Sequence, residues 1–87
     1  MLRVYADFNS RTSAGECWIL TYAGENLDEQ VKKLQLAKGD RILLYQDEND
    51  FEVIATLDFK YISLLLREAW VAAPDWTTLV RLQSSGV

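Results

Sequence analysis

Eighty-seven residues suit a single domain, and with nearly half of them apolar and ten aromatic the chain has enough for a folded core. Thirteen acids against nine bases give a net charge of −4, a field that repels a phosphate backbone, and the absence of histidine removes the commonest general base and transition-metal ligand. A lone cysteine allows no internal disulfide and suits a reducing compartment.

The opening Met1-Leu2-Arg3-Val4-Tyr5-Ala6-Asp7 carries charges where a signal peptide needs an unbroken apolar run. No uncharged stretch approaches the length of a membrane span, so a cytoplasmic protein without a membrane partner is expected. Leu2, Val4, Ala6 and Phe8 alternate with Arg3, Tyr5, Asp7 and Asn9, which makes a first strand with one core face. Residues 10–15 read as a polar turn. The β-formers of 16–22 (E-C-W-I-L-T-Y) read as a strand pairing antiparallel with the first, ended at Ala23-Gly24-Glu25.

Asn26 is a good helix cap, and Glu29 stands where a capping box needs its acid. Leu27, Val31 and Leu34 make one apolar stripe, so a helix is expected at about 26–35. In it Asp28–Lys32 and Glu29–Lys33 would be i,i+4 pairs, which gives the adjacent lysines a structural task and little weight as a phosphate site. Gly39-Asp40 turns the chain into Ile42-Leu43-Leu44-Tyr45, apolar on both faces as a central strand is. Phe51, Val53, Ala55, Leu57 and Phe59 alternate with polar or lone apolar residues, and Asp47-Glu48-Asn49-Asp50 joins the two strands as an acidic turn.

Residues 60–67 (K-Y-I-S-L-L-L-R) fit a continued strand, the turn of a second hairpin or a short helix, because the run is apolar at almost every position. Residues 69–73 read as a strand stopped by Pro74; Asp75 caps a helical turn over 76–79; 80–82 add a brief edge strand, and 83–87 fray beyond a domain of 1–82. The order β-β-α-β-β-β predicts a mostly β (α+β) fold: a small, strongly bent antiparallel sheet or SH3-like barrel, with the helix plugging one edge or end. An open α+β sheet with the helix across one face is the alternative.

Val4-Tyr5-Ala6-Asp7-Phe8-Asn9, Gly39, the strand 42–45, the acidic turn and Trp70-Val71-Ala72 together resemble a group of small bacterial proteins that open V-Y-A-D-F-N. The resemblance spans most of the chain through short structural motifs, and it implies no activity and carries no catalytic residue across. This chain departs from the group at 61–66, where a short polar turn is expected.

The chemistry-bearing residues are few. Cys17 as a nucleophile needs a base or a helix N-terminus beside it, and Glu16 and Trp18 supply neither, so a buried apolar role is preferred. The acidic turn fails as a calcium loop, because an EF-hand beginning at Asp47 places Phe51 at a ligand position and Glu52 where glycine is needed. Asp7 and Asn9 form a candidate polar site, with capping of the 9–12 turn as the simpler role for Asp7. No cofactor or metal site emerges. An aromatic platform from Tyr5, Trp18, Tyr45, Trp70 and Trp76 would sit on an acidic surface, whereas single-strand binders need basic grooves.

The run at 61–66 resists a bland account, since a sheet this small cannot hide six such residues beside Phe59 and Trp70. The expected function is therefore a non-enzymatic interaction module, a homodimer or one docked on another protein through Tyr61, Leu64, Leu65, Leu66 and Trp70. Burial of the run by its own chain has equal weight. The alternatives are a small-barrel nucleic-acid binder, suggested by fold analogy alone, and a small ligand-binding protein or enzyme using Asp7 and carboxylates near the acidic turn.

Overall fold

A computed structural model of the chain describes residues 1–46 and 49–81. The expected fraying of 83–87 and residues 47–48 of the acidic turn therefore lie outside the described residues, while Asn49 and Asp50, expected in that turn, begin a strand, with Asn49 paired to Gln46.

The alternating segments become strands: β1 (Arg3–Ala6), β2 (Leu20–Tyr22), β3 (Glu25–Asn26), β4 (Arg41–Gln46), β5 (Asn49–Ile62), β6 (Arg67–Pro74) and β7 (Val80–Arg81). They form one mixed sheet in the order β3-β2-β1-β4-β5-β6, with β7 paired to the start of β5. The fold is mostly β with almost no helix. β1 and β2 pair antiparallel, as expected. β1 and β4 run parallel, Val4 opposite Leu44, which corrects the all-antiparallel reading. The connection from β3 to β4 crosses over and returns the chain beside β1 in the same direction, which no hairpin does.

β3 was not foreseen. Ala23 and Gly24 both have positive φ (53° and 81°), the two-residue turn whose twist matches a hairpin, and it folds Glu25 back onto Tyr22.

The helix expected at about 26–35 is not formed as one. Asn26 does cap, accepting from the Asp28 N–H at 2.9 Å, but over a 3-10 turn of three residues, Leu27–Glu29. Gln30 is buried, and its amide nitrogen donates to the carbonyls of Tyr22 (2.6 Å) and Glu25 (3.2 Å), tying the turn to the β2–β3 hairpin. Leu34 N–H bonds Gln30, then left-handed Gln35 (φ 57°) stops the winding, with Gln35 N–H on Lys32 and Leu36 N–H on Val31. A segment this short nucleates helix poorly, and here burial of Leu27 and Val31 and the anchored Gln30 decide its path. Asp28 meets Arg67 (3.5 Å) rather than Lys32.

The main core packs Val4, Ala6, Cys17, Leu20, Leu27, Ile42, Leu44, Val53, Ala55, Leu57 and Ala72 together, all buried. Each of its large aliphatic side chains contributes about 1.5–3 kcal/mol on leaving water. Cys17 bridges to Ala72 through two backbone bonds of 2.8 and 2.9 Å, drawing the segment before β2 against the free edge of β6. Asp75 caps the 3-10 turn Trp76–Thr78 as expected, accepting from Thr77 N–H at 3.1 Å. Among the described residues no helix is long and apolar enough to cross a membrane.

Candidate functional site: the hairpin arm

β5 is fourteen residues long and outruns its neighbour. β4 accompanies it as far as Arg41 opposite Thr56, and beyond Leu57 its described strand partner is β6. Residues 58–71 thus leave the sheet as a two-stranded arm, in a molecule extending 44 × 29 × 22 Å. A bare hairpin is marginal in water, so the arm needs packing of its own.

It has that packing on one face. Directly opposed strand residues share a face, so Asp58, Lys60 and Ile62 line up with Val71, Ala69 and Arg67. Ile62, Ala69 and Val71 are buried there, joined by the half-buried Trp18 and Leu65. Beside them Lys60 Nζ meets the Glu16 carboxylate at 2.7 Å and Asp58 at 3.8 Å, and Thr12 donates to Glu16 at 3.0 Å. The hydrogen bond to Glu16 raises the Lys60 pKa above its ordinary value, against opposition from desolvation.

The other face is open. Phe59 lies opposite Trp70, ring centroids 5.2 Å apart, and Tyr61 opposite Glu68. Phe59 is 37% exposed, Tyr61 59%, and at the tip Leu64 is 74% and Leu66 78% exposed. The tip is a four-residue turn held by Leu65 N–H on Ile62 (3.0 Å) and Leu66 N–H on Ser63 (3.3 Å). Leu66 sits in the left-handed region, φ 54°, where an L-residue with a side chain costs about 1 kcal/mol or more.

The structure therefore divides the expected surface. Tyr61, Leu64 and Leu66 stand out to solvent, and Trp70 is half-buried between Phe59 and the main core, whereas Leu65 turns under the arm onto Trp18. Phe59 joins the patch; its alternation with Leu57 suggested core, because sequence does not show where β4 ends.

Asp7 and Asn9 come together as a turn. Asp7 accepts from the Asn9 N–H and the Ser10 hydroxyl, each at 3.0 Å, which occupies both carboxylate oxygens and leaves Asn9 contributing its backbone. Cys17 is fully buried, and that burial pushes its thiol up to about 11, with Arg11 lowering and Asp7 raising it by smaller amounts. A thiol so placed stays protonated at neutral pH. The aromatics do not gather into one platform: Tyr5 meets Tyr45 at 5.7 Å, Phe8, Phe51 and Trp76 form a second group at 5.1–6.2 Å, and Phe59 and Trp70 a third. Among the described residues no group of three or more carboxylates and thiols is placed to hold a metal.

Two clefts border the arm. One, of about 320 Å³, lies between Lys60, Tyr61 and Leu64 and the loop that carries Arg11 and Glu16. The other, of about 270 Å³, separates Leu65, Arg67 and Ala69 from residues 18–21 and Asp28. Trp18 lines both, and its indole Nε1, buried, finds no acceptor among the described residues.

No protein-family model matches the chain, and no curated protein or solved structure shows detectable similarity to it.

Proposed function

We propose that this chain is a non-enzymatic protein–protein interaction module that self-associates through the tip of its hairpin arm. The reading rests on Leu66: it is the most exposed of the tip's apolar residues, and it holds a backbone conformation that glycine would adopt without strain. Neither burial nor local geometry favours a leucine there. A side chain that costs stability and covers nothing in its own chain is accounted for by a surface that covers it.

A second copy fits the patch. Phe59, Tyr61, Leu64 and Leu66 together expose on the order of 400 Å², a functional-sized apolar patch. Two arms meeting about a twofold axis would bury about 800 Å² in total, below the standard interface, so the dimer is weak and reversible, with a Kd from micromolar upward. The bridge between Cys17 and Ala72 supports a curl of the sheet toward an SH3-like barrel, and the protonated, buried thiol suits a cytoplasmic protein.

Sedimentation velocity over a concentration series tests the reading. The wild type is expected to shift toward a dimer, and Leu64→Asp, at a largely exposed position, to remain monomeric with unchanged folding. A wild type that stays monomeric at millimolar concentration contradicts it.

A further inference from the structure

The loop before β2 is braced at both ends. Thr12 N–H donates to the Glu16 carbonyl at 2.8 Å and Gly15 N–H to the Thr12 carbonyl at 2.9 Å, with Gly15 at the positive φ (84°) that such a turn needs. The Arg11 backbone pairs with Cys17, which is itself fastened to Ala72 of β6. Both carboxylate oxygens of Glu16 are engaged: Oε1 accepts from the Thr12 hydroxyl at 3.0 Å, and Oε2 meets Lys60 Nζ at 2.7 Å. That ion pair joins the loop to the arm along the cleft of about 320 Å³, a volume at the small end of ligand sites. Arg11 lines the same cleft, and among the described residues its guanidinium makes no ion pair or hydrogen bond. The hydroxyls of Ser13, Tyr61 and Ser63, also in the lining, have no partner among the described residues either.

We propose that this cleft binds a small monocarboxylate with an apolar body, its carboxylate held by Arg11. Charge chooses the head group. Arg11 and Lys60 against Glu16 leave the lining with one net positive charge, in a protein whose net charge is −4. Lys60 is neutralised by Glu16, with Asp58 a further 3.8 Å contact, so the cation left free among the described lining residues is the guanidinium. Its planar fork matches a carboxylate, and the three hydroxyls supply further donors. A dianion such as a phosphate monoester would bring its second charge toward Glu16 and Asp58 with no second free cation to meet it. An amine finds no free carboxylate in the lining, which sets aside cations and zwitterions. The walls choose the body: Trp18, Ile62 and Leu64 present apolar surface, suited to a ring or a short hydrocarbon chain. Tyr61 and Leu64 belong to the exposed tip as well, but Leu66 lies outside the lining, and the site does not depend on self-association.

The test titrates benzoate and hexanoate into the full chain carrying Leu66→Asp, so that tip association does not contribute, and follows binding by calorimetry and NMR shifts. Saturable binding with a Kd of about a millimolar or below is expected, with shifts at the Arg11 Nε–H and the amides of Ser13 and Ser63. Benzamide, the same shape without the charge, is expected to bind about tenfold or more weakly, and Arg11→Gln to weaken benzoate by a similar factor. Arg11→Gln removes no side-chain bond, so its urea midpoint should match that of the parent, and Arg11→Lys should recover part of the loss. The proposal would be overturned by the absence of saturation with either acid at roughly ten millimolar, or by benzamide or inorganic phosphate binding as tightly as benzoate. Unimpaired binding to Arg11→Gln, or shifts centred elsewhere on the protein, would overturn it as well. Sedimentation of the wild type without ligand reads the tip independently, so either site can fail without the other.

Discussion

The base of the β4–β5 hairpin and the arm that continues it belong to one strand, with one alternation running through both, yet they treat apolar side chains in opposite ways. At the base Ile42, Leu44, Val53, Ala55 and Leu57 are buried, because β1 extends the sheet beside β4 and Val4, Leu20, Leu27 and Ala72 pack with them in one core. Two residues beyond Leu57 the same face reaches Phe59 and then Tyr61, and both are exposed. The residue pattern has not changed; β4 has ended. Periodicity assigns a side chain to a face, and the length of the neighbouring strand determines whether that face is covered.

This contrast is sharpest under mutation. Leu44→Ala at the base is expected to destabilise the fold by about 2–5 kcal/mol, since it opens a cavity in a packed core. Leu64→Asp at the tip should stay within about 0.5 kcal/mol. Urea denaturation of the two proteins measures both, and comparable losses would remove the distinction between base and arm.

The base should also show itself at high pH. The Cys17 thiol, raised by burial from 9.0 to about 11, stays neutral in the folded chain while an unfolded one ionises. Its contribution is complete below pH 9 and is lost as pH rises from about 9 to 11. Lys60, also raised, adds a loss that begins above 10.5. Cys17→Ala should flatten the first part of that decline, and a thiol reagent should label the native protein only as fast as it opens. Rapid labelling under native conditions would place Cys17 outside the core.

A smaller effect belongs to the turns. Asp7→Ala removes the acceptor for Asn9 N–H and the Ser10 hydroxyl and is expected to cost about 1 kcal/mol in thermal unfolding, with no effect on self-association. At the acid end Asp75, whose hydrogen bonds from Thr77 lower its pKa below 3.8, contributes stability that is present above that pH and lost as pH falls through its folded value.

Much of the sheet was legible because strands announce themselves by twofold alternation and by their turn residues. Residues 42–45 and 51–59, Pro74, the Asp75 cap and the Asp7 turn all follow from local rules. What was not legible depends on distant partners. Gln30 reads as a solvent-facing helix position until Tyr22 and Glu25 offer their carbonyls. The parallel pairing of β1 with β4 joins segments some forty residues apart and leaves no local mark. Leu64, Leu65 and Leu66 are identical in sequence, and only the turn geometry sends the middle one inward. The β2–β3 hairpin had a signal, a glycine at the second of two turn positions, weakened by alanine at the first.

Leu66→Gly offers the most direct test of the arm as an interaction surface, because the two roles of that residue pull in opposite directions. Denaturation and sedimentation of the same protein should show the fold stabilised by about 0.5–1 kcal/mol, as left-handed strain is relieved, while the self-association of the wild type weakens. A Leu66→Gly protein that is less stable, or that associates as well as the wild type, would contradict the account.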